Sequence, residues 1–280
     1  MAAFDWYQAT VRHPVDDVLG AMLELAETAE LTHAKGLQGY QTRTFLMDEG
    51  ERIGEIWHGG NHPYPHVQFT GDAAQSGAIL IRKSFPEHYV ARIDARQDYA
   101  DPEAFDTMQA VLLDAAHRHR VKVGTAGDHL LRKVGRTVYL GAKSSAVQLR
   151  MYDKAEELRQ KFAHDPAKLM VIPEHLTRIE SQVRPQSQQA RLVMATIEPS
   201  QVFGASAWTR DIWQSVEGMD LEPVQVTKAW RPSDDDRAYS YMLGAFGGML
   251  RRRLADHGSW AALGAQIGFD LDERDKAKRG

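Results

Sequence analysis

Tyr152 stands in Leu149-Arg150-Met151-Tyr152-Asp153-Lys154, where strand alternation puts Arg150, Tyr152 and Lys154 on one face. A tyrosine hydroxyl has an ordinary pKa of about 10, so it attacks as a nucleophile only beside positive charge or a metal. Arg150 and Lys154 can supply part of that charge. Upstream, Gly135-Arg136-Thr137-Val138-Tyr139-Leu140-Gly141 carries a second tyrosine on what reads as the preceding strand, and downstream Arg178-Ile179-Glu180 adds a carboxylate. Nucleophile, cation and acid on adjacent strands are the parts needed to cut a phosphodiester and keep its bond energy in an ester to the protein. Taken alone, the Tyr152 motif reads first as an ordinary strand aromatic between solvated charges.

The carboxylates fall on alternating faces as well. Asp94, Arg96 and Asp98 share one strand face, and Arg178, Glu180, Gln182 and Arg184 share another. If those strands meet, Asp94, Asp98 and Glu180 make a hard oxygen site for Mg²⁺ or Mn²⁺, which would polarise a phosphate. The same residues also read as cross-strand ion pairs, each worth little on an exposed sheet. His58, His62 and His66 recur every fourth residue, but Gly59-Gly60 and Pro63 forbid one helix through them. Of these, His66 is the candidate neutral ligand, because it begins an alternating strand. Neither a GxxxxGK loop nor a Gly-x-Ser-x-Gly elbow occurs, which argues against nucleotide hydrolysis and serine esterase chemistry.

The elements that must hold these residues follow from pattern and punctuation. Strands are expected at 4–11, 41–47, 52–57, 66–70, 89–97, 137–140, 147–153 and 176–183. Helices are expected from Pro14 to about residue 29, after the Asp101-Pro102 cap, and over 154–162. The arrangement predicts an α+β fold, an antiparallel sheet with helices on one face. After Arg184-Pro185 the chain turns mainly helical, so a first domain is placed at 1–185 and a helical C-terminal region at 186–280. No internal period suggests repeats.

Composition sets the outer limits. The 280 residues are 43% hydrophobic and 26% charged, enough to bury a core. The absence of cysteine removes disulfides and thiolate zinc sites, and the cytoplasm is the expected compartment. No signal-peptide pattern or membrane-spanning run is expected. A net charge of −4 argues mildly against a nucleic-acid partner. Two basic clusters argue the other way: Arg118, Arg120, Lys122, Arg132, Lys133 and Arg136, and the run Arg251-Arg252-Arg253.

Several motifs occur together in a recognisable order: Asp5-Trp6-Tyr7, Arg92-Ile93-Asp94 with Asp98, Gly135 to Gly141 with Ser144-Ser145, Arg150-Met151-Tyr152-Asp153-Lys154, and Arg178-Ile179-Glu180. In this the chain resembles the Rep_trans-type replication initiation factors, the rolling-circle initiators of filamentous phages and small plasmids, over residues 4 to 185. The resemblance implies a relative of the His-hydrophobe-His endonuclease fold, with carboxylates replacing the paired histidines as ligands of a divalent metal. It implies nicking and joining of origin DNA, single-stranded at the nick site, through a 5′-phosphotyrosyl intermediate in a bacterial host. Tyr152 would be the nucleophile, Tyr139 the second choice, with Arg150 and Lys154 steadying the phosphate and Asp94, Asp98 and Glu180 holding the metal. Host helicase and polymerase are the implied partners, with a homodimer as one implied assembly. A conjugative relaxase would use the same motifs. A non-catalytic DNA-binding regulator would use the C-terminal helices instead.

Overall fold

The computed structural model describes residues 1–131, 135–227 and 234–279. Ten strands form one antiparallel sheet: β1 (Ala3–Thr10), β2 (Glu30–Lys35), β3 (Thr42–Asp48), β4 (Glu51–His58), β5 (His66–Thr70), β6 (Tyr89–Tyr99), β7 (Val123–Ala126), β8 (Thr137–Leu140), β9 (Val147–Asp153) and β10 (Thr177–Val183), in the order β2-β3-β4-β5-β1-β6-β10-β9-β8-β7. The helices are α1 (Val15–Leu23), α2 (Ala73–Ser84), α3 (Ala104–His119), α4 (Lys154–Lys161), α5 (Pro166–Met170), α6 (Gln188–Met194), α7 (Pro199–Val202), α8 (Ala207–Glu217), α9 (Asp234–His257) and α10 (Trp260–Arg279). The α+β expectation is met.

One face of the sheet is apolar and lies under helices. Tyr7, Ile93, Ala95, Ile179, Leu149 and Met151 point to it, and Ile81, Leu112, Met194 and Trp213 of α2, α3, α6 and α8 share the buried core. α6, α7 and α8, which follow residue 186, therefore belong to this core. The chain divides into a unit of Met1–Lys228 and a second of Ala229–Gly280, well after the boundary expected at 185/186. In the second unit α9 and α10 pack on each other, and Ser259 caps the start of α10 by accepting from the Ala262 amide at 3.1 Å.

Phe4 and Tyr7 are both buried, yet three residues apart they should face opposite ways. A bulge at Asp5 resolves this: Phe4 pairs with Ala95 and Trp6 with Asp94, leaving Asp5 as the extra residue. Beyond the Tyr7–Ile93 pair, Gln8 pairs with Arg92 and Ala9 with Val90, so Ala91 is the extra residue on β6.

Those two bulges expose a repeat in the fold. A strand, a helix and four more strands (β1, α1, β2–β5) are followed, after α2, by a second strand, helix and four strands (β6, α3, β7–β10) with α4 and α5 inserted before β10, and the sheet orders 2-3-4-5-1 and 7-8-9-10-6 correspond. The halves meet at β1 and β6, related by a pseudo-two-fold normal to the sheet through Tyr7 and Ile93. Asp5 and Ala91 are equivalent, each two residues before the axis. No sequence period announces this duplication.

Four elements escape the sequence patterns. α1 ends at Leu23 rather than near 29, because Asp48 accepts from the Thr28 amide and hydroxyl, each at 2.9 Å, and draws the chain into β2. β2 is largely exposed and β7 is a four-residue edge strand, so neither shows an apolar alternation. α2 buries Ala74, Gly77, Ala78 and Ile81, a helical stripe made mostly of small residues. A Cβ on Gly77 would lie 2.2 Å from the Phe69 ring, so glycine sets the approach of α2 to the sheet. Gly77→Ala should lower stability by roughly 1–3 kcal/mol through overpacking. Gly20→Ala, in open space on α1, should raise it by about 0.5–1 kcal/mol. Thermal melts of the two variants check the contrast.

Candidate active site

The face of the sheet opposite the core carries the predicted residues. Register sets Arg178 between Asp98 and Tyr152, Glu180 between Arg96 and Arg150, and Gln182 between Asp94 and Gln148. Tyr139 on β8 lies opposite Arg150, so both tyrosines share this face.

At its centre the Tyr152 hydroxyl donates to Glu180 Oε1 at 2.5 Å. The other oxygen of Glu180 accepts from Arg150, from Nη2 at 2.5 Å and from Nε at 3.1 Å. Glu180 is 3% exposed and Tyr152 6%. Burial pushes the Glu180 pKa above the usual carboxylate range, and Arg150 opposes that shift. Burial, reinforced by the charge of Glu180, also raises the pKa of Tyr152, with Arg178 and Arg150 acting the other way. The phenol therefore stays protonated at neutral pH, with a carboxylate already bonded to its proton. A cavity of about 340 Å³, bordered by Arg150, Arg136 and by Glu157 and Gln160 of α4, reaches Tyr152 from the outside. Lys154 sits 5.6 Å from the centre of the Tyr152 ring and is ion-paired with Glu157.

Around this centre Asp5, Asp72, Asp94 and Asp98 are each bonded to a guanidinium. Arg178 binds Asp98 through two bonds of 2.6 and 2.7 Å and reaches Asp5 at 2.9 Å. Arg96 joins Asp5 at 3.2 Å to Asp72 at 2.7 Å. Asp94 takes two bonds from Arg92, at 3.0 and 2.6 Å, and one from Gln182 at 3.2 Å, while Arg92 lies over the Trp6 ring at 3.9 Å. Asp5 was not among the site residues expected from the strand patterns. Its place follows from the bulge, and the odd spacing of Phe4 and Tyr7 is the signal that could have revealed it.

The residues proposed as metal ligands are not brought together. Asp94 and Asp98 lie four residues apart on β6, about 13 Å along a strand. Glu180 stands level with Arg96 between them. An octahedral ion needs its oxygens at about 2.1 Å, so these three carboxylates do not fit as one ligand set. Among the described residues no group of three His, Asp or Glu is arranged to hold an ion. Alternation correctly shared acids and bases between faces; the register then matched each acid to an arginine.

The basic segment is partly structural. Arg136 is 8% exposed, bonded to Asp153 and Asp106 and stacked over Phe105. Arg118 pairs with Asp114 and Asp211 and so ties α3 to α8. Arg132 and Lys133 lie outside the described residues. Arg251, Arg252 and Arg253 are exposed on α9. His66 faces the same side as Tyr152 but near the other end of the strands, with Nδ1 3.0 Å from the Thr10 hydroxyl. No described helix is long and apolar enough to cross a membrane.

No family model and no curated protein matches the chain. Among solved structures it is similar to the rolling circle replication initiator protein from Geobacillus stearothermophilus, at 17% identity and a TM-score of 0.51. The match covers 81% of this chain and 98% of that one. An antiparallel sheet with a tyrosine, a carboxylate and guanidiniums on its open face, and helices beneath, is thus built on the fold of a solved rolling-circle replication initiator.

Proposed function

We propose that the protein is a rolling-circle replication initiator that nicks and rejoins one strand of origin DNA, with Tyr152 as nucleophile. The observation that carries this reading is the hydrogen bond from the Tyr152 hydroxyl to Glu180 Oε1, set among Arg150, Arg178 and Lys154. The fold likeness to a rolling-circle initiator supports the same reaction class.

The chemistry then falls to the chain's own groups. Glu180 takes the proton as the Tyr152 oxygen attacks phosphorus, so a free phenolate need not accumulate. The bond from phosphorus to the 3′-oxygen breaks as the bond to Tyr152 forms, and the leaving oxygen takes a proton from solvent. The products are a 5′-phosphotyrosyl ester and a free 3′-hydroxyl able to prime synthesis by a host polymerase. Since one phosphodiester replaces another, the reverse reaction rejoins the strand without ATP. Arg150 is 40% exposed on its side chain and lies at the cavity mouth, where it can meet the phosphate charge. The exposed arginines 251 to 253 of α9 are suited to DNA phosphates elsewhere on the substrate. No step is assigned to a divalent ion, because the carboxylates first expected to hold one are bonded to arginines.

Tyr152→Phe should bind single-stranded origin DNA like the wild type and form no denaturant-resistant adduct. An adduct of undiminished yield would transfer the role to Tyr139. Glu180→Gln should slow adduct formation about 10²–10⁴-fold, the usual contribution of a general base. In the wild type, the rate should fall as pH drops through the raised pKa of Glu180, because the protonated acid cannot accept the tyrosine proton. The Gln variant should lose that acid limb. A limb unchanged in the variant would remove Glu180 from the base role.

A further inference from the structure

The pseudo-two-fold axis gives the Tyr152 site a counterpart in the first half of the sheet. Counting from Tyr7 and Ile93, Thr10 and Arg96 are equivalent. Their partners on the next strand are His66 and Glu180, and beyond those lie Trp57 and Arg150. By the same count Tyr64 takes the place of Arg178, Arg12 that of Asp98, and Ala91 that of Asp5. A row of paired charges in one half is therefore replaced by aromatic rings and a cation in the other.

At that place the open face is hollow. A cavity of about 360 Å³ is bordered by Thr10, Tyr40, Tyr64, His66, Ala91 and Arg191. A second, of about 310 Å³, shares Thr10, Tyr64 and Arg191 with it and adds Arg12 over the Tyr89 ring at 4.3 Å. The walls of the first are organised. Tyr40 stacks on His62 at 4.1 Å. His66 is 7% exposed and packs against Trp57 at 5.2 Å, with Nδ1 on Thr10. The residue borders the cavity, and its Nε2 has no hydrogen-bond partner among the described residues. Burial first, then the positive charges of His62 and Arg191, lower the His66 pKa to about 4, so the ring is neutral near pH 7. Tyr64, by contrast, is 41% exposed and Arg191 lies at the rim.

An exposed tyrosine, a buried neutral imidazole with a free ring nitrogen, and arginines at the mouth match the three parts of a nucleotide: the base face, the base edge and the phosphate. A neutral imidazole suits a base edge, whereas a second phosphate would call for charge. We propose that this cavity holds an unstacked nucleotide of the single strand, its base against Tyr64 and within reach of His66 Nε2, its phosphate on Arg191. The site lies on the same face as Tyr152, roughly 30 Å away by strand spacing and rise, a gap that several extended nucleotides cover. It rests on the reading of that face as a single-strand-binding surface, and it adds a second point that fixes which phosphodiester reaches Tyr152.

The test uses the full chain with fluorescent twelve-nucleotide single strands of homopolymeric dT and dA, and of an abasic backbone of the same length. The wild type should bind the base-bearing strands more tightly than the abasic one. Tyr64→Ala and Arg191→Ala should each weaken binding of base-bearing strands about tenfold, the usual effect of losing one stacking ring. Tyr64→Phe should bind like the wild type. Both positions are exposed, so the folded chain should persist, and circular dichroism checks this. A strand bearing 5-iododeoxyuridine should photocrosslink to a peptide containing Tyr64. Wild-type binding that neither alanine variant weakens, with crosslinks only elsewhere, would overturn the pocket and leave the nicking site standing. No binding of any single strand by the wild type would overturn both.

Discussion

Glu180 is a nearly fully buried carboxylate, and a buried charge persists only where partners replace the water it has lost. Here Arg150 takes one oxygen and the Tyr152 hydroxyl the other. Asp94, also buried, obeys the same constraint through Arg92, and the buried Arg178 meets it through the more exposed Asp98. Such an arrangement adds little to stability, since a buried ion pair roughly balances its desolvation, whereas loss of one partner leaves the other exposed to the full cost. What it contributes is position: two strands of fixed register carry the acid and the phenol, and each neighbour limits the rotamers of the next. The apolar face beneath, with Ile179 and Met151 locked under helices, keeps that register from slipping.

The duplicated topology explains why so wide a sheet has two different polar ends. Equivalent positions bear Glu180, Arg150 and Arg178 in one half and His66, Trp57 and Tyr64 in the other. Charges gather around the buried Glu180 in one half, and rings gather around the buried His66 in the other. The two bulges make this possible, because each turns an extra residue, Asp5 or Ala91, toward the open face while its neighbours stay in the core.

Much of this was legible before the structure. Alternation placed Arg150, Tyr152 and Lys154 together, and Arg178, Glu180 and Gln182 together, because a half-buried strand must alternate. Alternation fixes the face but not the register, so it could not say that Glu180 would meet Arg150 rather than Asp94. That difference separates a carboxylate held on a tyrosine from a three-carboxylate ion site. β2 stayed hidden because an edge strand takes its order from its partner rather than from its own pattern, and α2 because its buried stripe relies on alanine and glycine. The repeat left no trace in the sequence: the two halves share backbone pairing while their facing side chains differ in chemistry.

The central claim, that Tyr152 is the atom donor that joins this chain to DNA, is tested most directly by mapping the covalent adduct. The protein would be incubated with a single-stranded origin oligonucleotide, denatured and digested, and the nucleotide-bearing peptide sequenced by mass spectrometry. The account predicts a 5′-phosphotyrosyl residue at Tyr152 in the peptide that also holds Arg150-Met151. A modification at Tyr139, or cleavage of the strand with no protein-linked product, would contradict it.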